Sequence, residues 1–238
     1  MIKLVTDTVD KADIKALRKW LGKKPTPQLT KGPLTKELEK KWSNYLGVDY
    51  TTYVNSGSSA ILLMLATLKE SRNLKNNRIV VPGLSWLTDV SSCMQLGFEP
   101  ILCDCNLTDL SVDLNHLENL FKSSKPSIFI LVHVLGFVPD MNRIVELCKK
   151  YDVILLEDVC EAMGSEYRGR KLGTFGEMSV FSLFYGHHLS TIEGGFLCTS
   201  SKVFSDISKM MRNHGWDRDL DPVDSDILKN RHSIDNFN

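Results

Sequence analysis

The sequence predicts an α/β protein: a mostly parallel central sheet with helices on both faces. Three observations carry that prediction. Short apolar runs at residues 78–82, 99–105, 127–132 and 153–156 lack polar alternation, the mark of strands buried on both faces. Segments of helical period lie between them, at the spacing of strand–helix crossovers. Turn residues such as Pro82-Gly83 and Asn55-Ser56-Gly57-Ser58-Ser59 punctuate the junctions. In sheets of this kind ligands sit at the carboxyl ends of the strands, so chemistry is expected at those junctions.

Taken in order, residues 1–22 carry a weak helical pattern, with Ile14, Leu17, Trp20 and Leu21 on one side. Residues 23–32, rich in Pro, Thr and Lys, read as an extended loop. Pro33 suits a first helical turn, and Leu34, Leu38, Trp42, Tyr45 and Leu46 follow at helical spacing until Gly47 caps the helix. A short strand, 49–54, runs into the Ser/Gly turn and a nearly all-apolar helix at 60–68. Further helices are expected at 85–95, 115–122, 140–151 and 202–212, between the strands already named. Residues 164–176 contain Arg168-Gly169-Arg170-Lys171, read as an exposed hairpin tip. Residues 217–238 hold too few apolar side chains for a core and read as loop or disorder. The expected divisions are therefore 1–32, an N-terminal helix and loop; 33–216, one large domain; and 217–238, a polar tail.

Composition narrows the function. The 238 residues are 42% hydrophobic and 24% charged, with 29 basic and 29 acidic side chains. A formal charge of zero gives no electrostatic footprint for nucleic acid or an anionic membrane surface. Residues 1–10 lack the apolar core of a signal peptide, and no apolar run approaches a membrane span. The six cysteines are scattered without a CxxC pair, which fits reduced thiols in a cytoplasmic protein and no metal site.

The junction residues point to a site. The Asn55–Ser59 turn opening a buried helix is either an anion site or simply a well-capped core helix. Strand 127–132 ends at His133, and strand 153–156 ends at Glu157-Asp158. An acid directly after a buried strand either pairs with a cation or caps the following turn. The stretch 181–195, FSLFYGHHLSTIEGG, reads as a buried strand that delivers Ser182, His187, His188 and Ser190 into a cleft. The Gly194-Gly195 pair is expected to turn the backbone before the next strand, 196–199. Short hydroxyls suit a phosphate, and imidazole suits proton transfer near neutral pH.

Together these motifs resemble the DegT/StrS-type sugar aminotransferase family, from about Lys31 to Asp219. NSGSSA at 55–60 is similar to the family's phosphate-binding turn, and PGLSW at 82–86 to the segment that lays an aromatic ring over the cofactor. HVLGFVPDM at 133–141, EDVCEAMGS at 157–165, RKLGTFG at 170–176 and the 182–195 stretch complete the set. The resemblance implies the large domain of the aspartate-aminotransferase fold (PLP fold type I) and a pyridoxal phosphate (PLP) or pyridoxamine phosphate (PMP) cofactor. It assigns Asp158 to the pyridine nitrogen, Gly57, Ser58 and Ser182 to the phosphate, Trp86 to stacking on the ring, and Glu161 to the ring hydroxyl. It also implies a homodimer.

One departure sharpens the reading. Where the family's aminotransferases have the lysine that binds the cofactor covalently, this chain has His187, and no lysine occurs between Lys171 and Lys202. A histidine there resembles the family's 3-dehydratase branch, typified by GDP-4-keto-6-deoxymannose 3-dehydratases. That branch uses PMP to remove the C3 hydroxyl of a nucleotide-linked 4-keto sugar, in deoxysugar and lipopolysaccharide-type synthesis. His187 is then the general base or acid at the cofactor's C4′ carbon, with His188 as support or substrate contact. The cysteines that hold an iron–sulfur cluster in the CDP-sugar relatives have no counterpart. Family members continue into a C-terminal small domain, so the resemblance implies a chain without it. Two alternatives stay open: a sugar aminotransferase, and an inactive relative that acts as a binding protein.

Overall fold

The computed structural model describes residues 8–232; residues 1–7 and 233–238, the ends of the expected N-terminal segment and polar tail, lie outside the described residues. The apolar runs become five-residue strands: β1 (Tyr50–Val54), β2 (Arg78–Pro82), β3 (Glu99–Cys103), β4 (Ile128–Val132) and β5 (Ile154–Asp158). A two-residue pair, β6 (Glu166–Tyr167) and β7 (Arg170–Lys171), forms the predicted hairpin, and β8 (Met178–Ser182) and β9 (Gly195–Thr199) follow. Arg168 and Gly169 both take positive φ (53° and 79°), the geometry of a type I′ turn.

Seven strands make one sheet in the order β1-β9-β8-β5-β4-β2-β3. Every pairing is parallel except those of β9, which runs against both β1 and β8. β4, β8 and β9 are buried along their whole length, which is why their sequences show no alternation.

The helices are α1 (Lys11–Leu21), α2 (Pro33–Leu46), α3 (Gly57–Ser71), α4 (Leu87–Gln95), α5 (Leu114–Ser124), α6 (Met141–Tyr151), α7 (Lys202–Arg212) and α8 (Pro222–His232). One face of the sheet packs against Trp42 of α2, Leu117 and Phe121 of α5, and Met141, Ile144 and Leu147 of α6. The other packs against α3, Cys93 of α4 and Phe204 of α7. α3 is apolar on nearly every side because the sheet, α4 and α7 surround it. Its Met64, Leu65 and Leu68 are fully buried, each contributing about 1.5–3 kcal/mol of transfer energy.

Two expectations change. The tail is not simply loop, since residues 222–232 form α8. Asp221 accepts a hydrogen bond from the Val223 N–H (3.0 Å) and Pro222 fills the first turn, a strong local start signal. Ion pairs from Lys202 to Asp224 (2.5 Å) and from Lys229 to Asp217 (2.9 Å) then tie this polar helix down without a large apolar face. The 181–195 stretch is a strand only to Ser182. Beyond it a hairpin loop joins the antiparallel neighbours β8 and β9, closed by Leu183 N–H to Gly194 O (2.8 Å) and Tyr185 N–H to Ile192 O (3.0 Å). Among the described residues no helix is long and apolar enough to cross a membrane.

Candidate active site

The carboxyl ends of β1, β2, β5 and β8 lie along one edge of the sheet, and the reversed β9 begins there. Gly195 is the register partner of both Val54 and Ser182. The Gly pair does not supply the turn expected of it, for the positive φ in this loop belongs to Ile192 (72°). What the glycines supply is closeness. A Cβ on Gly195 would lie 2.4 Å from the Ser56 carbonyl oxygen and 2.8 Å from the Gly57 nitrogen. One on Gly57 would lie 2.8 Å from Ser182 Cβ and 3.0 Å from Cys160 Sγ. The start of α3, the end of β8 and the start of β9 thus meet at backbone distance.

α3 begins at Gly57, with Ser56 as its cap accepting from Ser59 N–H (3.1 Å). The first amides of a helix have no intrahelical partner, so Gly57 and Ser58 present donors at the positive end of the dipole. The Ser182 side chain, nearly buried, lies against Gly57 and accepts from Phe184 N–H (3.3 Å). This cradle has the donor chemistry of a phosphate site.

Glu157 and Asp158 end β5 on opposite faces. Glu157 both pairs and caps: it accepts from Gly173, Phe175 and Gly176 N–H (2.8, 2.7 and 2.7 Å) and sits 3.0 Å from His133 Nε2. Burial alone would raise its pKa, but His133 and the backbone amides outweigh that and hold it below the ordinary value. Asp158 Oδ1 accepts from Cys160 N–H (2.8 Å), and burial raises its pKa despite the hydrogen bonds from Cys160. Beside it stands Asp89, in the first turn of α4 and 0% exposed, with no hydrogen-bond donor of the described residues on either carboxylate oxygen.

The two histidines part company. His187 is half-buried at the hairpin loop, its ring edge-on to Phe184, while His188 is exposed. Burial lowers the His187 pKa. Glu161 and Asp158 pull it up and His188 pushes it down, which sets His187 within electrostatic reach of both acids. Glu161 is exposed and accepts from Leu135 N–H (3.2 Å). Trp86 caps α4 at the end of the β2 connection and is 68% exposed, free to cover a ligand. The sheet edge therefore brings together Gly57, Ser58, Ser182 and Asp158, with Glu161 and His187 beside Asp158 and Trp86 at the start of the helix that carries Asp89.

Sequence reasoning passed over Asp89 and Cys160. Asp89 had a visible signal, a lone acid one helical turn after Trp86 on the side of α4 that also carries Ser92 and Cys93. Cys160 looked like one more scattered thiol. Only the fold sets it against Asp158 and Gly57.

The comparisons agree with this geometry. A family model described as "DegT/DnrJ/EryC1/StrS aminotransferase family" matches residues 7–237. The chain is 32% identical over 237 residues to the GDP-4-keto-6-deoxy-D-mannose 3-dehydratase of Yersinia pseudotuberculosis, covering 98% of this chain and 59% of that protein. It is 35% identical over 220 residues to the enzyme of the same name from Escherichia coli O55:H7, covering 91% of this chain and 56% of the relative. Among solved structures it superposes with a TM-score of 0.86 on GDP-4-keto-6-deoxymannose-3-dehydratase with a trapped PLP-glutamate geminal diamine, at 33% identity. That match covers 93% of this chain and 57% of the other. The chain thus spans somewhat more than half the length of these relatives, and its sheet is that of the PLP fold type I aminotransferases.

Proposed function

The chain belongs to the DegT/DnrJ/EryC1/StrS aminotransferase family, and we propose that it carries the cofactor-binding domain, residues 33–216, of a PMP/PLP-dependent nucleotide-sugar 3-dehydratase. One observation carries this reading: a half-buried histidine, His187, stands where aminotransferases of this family need lysine, within electrostatic reach of Asp158 and Glu161. The residues present fit the group. The α3 amides of Gly57 and Ser58 and the Ser182 hydroxyl would hold its phosphate. Asp158 would serve the pyridine nitrogen, Trp86 the ring face, and Glu161 the ring hydroxyl. When bound, the cofactor supplies a ring that spreads negative charge developing on the attached sugar.

The protein's own part is proton handling. His187, its pKa lowered by burial, is mostly neutral at pH 7 and ready to take a proton at the cofactor's C4′ carbon. Having taken it, the imidazolium is stabilised by Glu161 and Asp158 and can return the proton as the C3 hydroxyl departs. His188, exposed next to it, is assigned to substrate contact. The substrate is a nucleotide-linked 4-keto-6-deoxy sugar, the class named for the relatives above. The six free cysteines support a reducing, cytoplasmic setting, and apolar side chains around the site support a homodimer.

The test is intact mass after PLP and borohydride, beside a PMP titration. Wild type is expected to gain no adduct and bind PMP tightly, while His187→Lys gains one adduct. An adduct on wild type would mean that another lysine holds the cofactor, and the aminotransferase reading would replace this one. Failure of the wild type to bind either form would overturn both enzyme readings in favour of a binding protein.

A further inference from the structure

The Asp89 carboxyl is fully buried, Asp158 is the side chain that acts on it most strongly, and no donor of the described residues meets hydrogen-bond geometry at either of its oxygens. Two buried carboxylates cannot both carry charge at contact distance, and two bare acceptors cannot bond to each other. A single proton between them resolves both difficulties. The surroundings decide which acid holds it. Asp158 already receives the Cys160 N–H at 2.8 Å and a bond from the Cys160 thiol, donors that favour its ionised form. Asp89 has only the Trp86 N–H acting on its carboxyl, outside hydrogen-bond geometry and outweighed by burial and Asp158, and the Cys93 thiol bonds its backbone carbonyl (2.9 Å).

We propose that Asp89 is a positioning residue: a neutral carboxylic acid that donates its proton to Asp158, so the buried pair carries one negative charge, held on the Asp158 side. Asp89 thereby fixes the orientation and the charge of Asp158 toward its ligand. This rests on the reading of Asp158 as the partner of the pyridine nitrogen.

The neighbours on every side are consistent with one shared proton. Cys93 lies on the same helix, and the Cys160 thiol, pushed well above its ordinary range by burial and by both acids, stays protonated. His133 acts on Asp158 from β4's end and His187 from the β8–β9 hairpin, but the His133 Nε2 is committed to Glu157, and Glu157 faces the other side of the sheet. Burial and Asp158 raise the Asp89 pKa well above the usual carboxylate value.

The sign of the pH dependence follows. An acid with a raised folded pKa contributes stability that is complete below the unfolded value, about 3.9, and lost as pH rises through the folded value. The ratio of unfolding constants, wild type over Asp89→Asn, should therefore grow about tenfold per pH unit from about pH 4 upward. A flat ratio would overturn the proposal. Infrared spectra of the cofactor-free wild type, with and without 13C-labelled aspartate, give a second readout that needs no variant. A protonated aspartic acid band at pH 7 is expected, and its absence sinks the idea whether or not PMP binds. In PMP titrations, Asp89→Asn, which keeps a donor, should hold affinity within about threefold of wild type, and Asp89→Leu should lose at least about tenfold. Equal affinity for Asp89→Leu would also overturn it. If the wild type shows the band but binds no PMP, the cofactor reading has failed and the proton assignment stands.

Discussion

Two neighbouring acids on one strand meet opposite fates because successive residues of a strand face opposite sides. Glu157 is locked by three backbone amides and His133, an arrangement that holds the 173–176 turn against the sheet. Asp158 instead takes its donors from Cys160 and sits beside Asp89 at the edge where the site forms. Replacing Glu157 by Gln leaves buried amides and an imidazole facing a group that cannot satisfy all of them, and should cost about 3–5 kcal/mol at pH 7. The folded pKa of Glu157 lies below the ordinary value. Its ionisation therefore contributes fully above about pH 4.3, and the contribution is lost as pH falls through the lower folded value. Urea unfolding of wild type and Glu157→Gln at pH 7 and pH 3 checks this. The gap should be smaller at pH 3 than at pH 7, by at most about 1.8 kcal/mol, and a gap under about 1 kcal/mol at pH 7 would contradict the account.

At the scale of elements, the site is the meeting of three chain segments that only glycine permits. Gly195→Ala would drive a methyl group to 2.4 Å from the Ser56 carbonyl and push the start of α3 away from β9. Phosphate binding should weaken by at least about tenfold, since the Gly57 and Ser58 amides lose their aim, while the buried body of α3 keeps the domain folded. Calorimetric titration with PMP beside a thermal melt separates the two. Unchanged affinity would show that the close approach is not what orients those amides. The strands and helices of this region were legible in the sequence because full burial writes itself as unbroken apolar runs. The phosphate cradle was legible because Ser/Gly before an apolar helix has few other uses. The role of Gly194 and Gly195 was not, because a glycine needed for close approach reads the same as one needed for a turn until its neighbour in space is known. Asp89 was missed for a related reason: its partner lies 69 residues away, across the sheet order. α8 was missed because its stability comes from a cap and ion pairs rather than an apolar stripe.

For the whole molecule, the carboxyl edge of the sheet is ringed by apolar side chains left in solvent. Leu84, Trp86 and Leu87 stand at the start of α4, Leu135 and Phe137 follow β4, and Phe184, Leu189 and Ile192 lie in the β8–β9 hairpin. Scattered exposed hydrophobics are ordinary, but a set gathered around one edge marks a surface meant to be covered. Each such side chain, once buried, contributes about 1.5–3 kcal/mol, ample for a few of them to drive association. A second copy of the chain is the cover that the homodimer reading supplies, and it would also close the half-exposed Trp86 and His187 region from bulk water. Light scattering across a concentration series should give twice the chain mass at micromolar concentration. Leu87→Asp, placed on the most exposed of these large side chains around α4, should shift the midpoint to at least about tenfold higher concentration without changing the melting of the domain. Should the wild type remain a monomer at the highest concentration with PMP present, these side chains await some other cover. The proton chemistry assigned to His187 would then have to proceed at an edge open to water, where the pull of Glu161 and Asp158 on its charge would be screened.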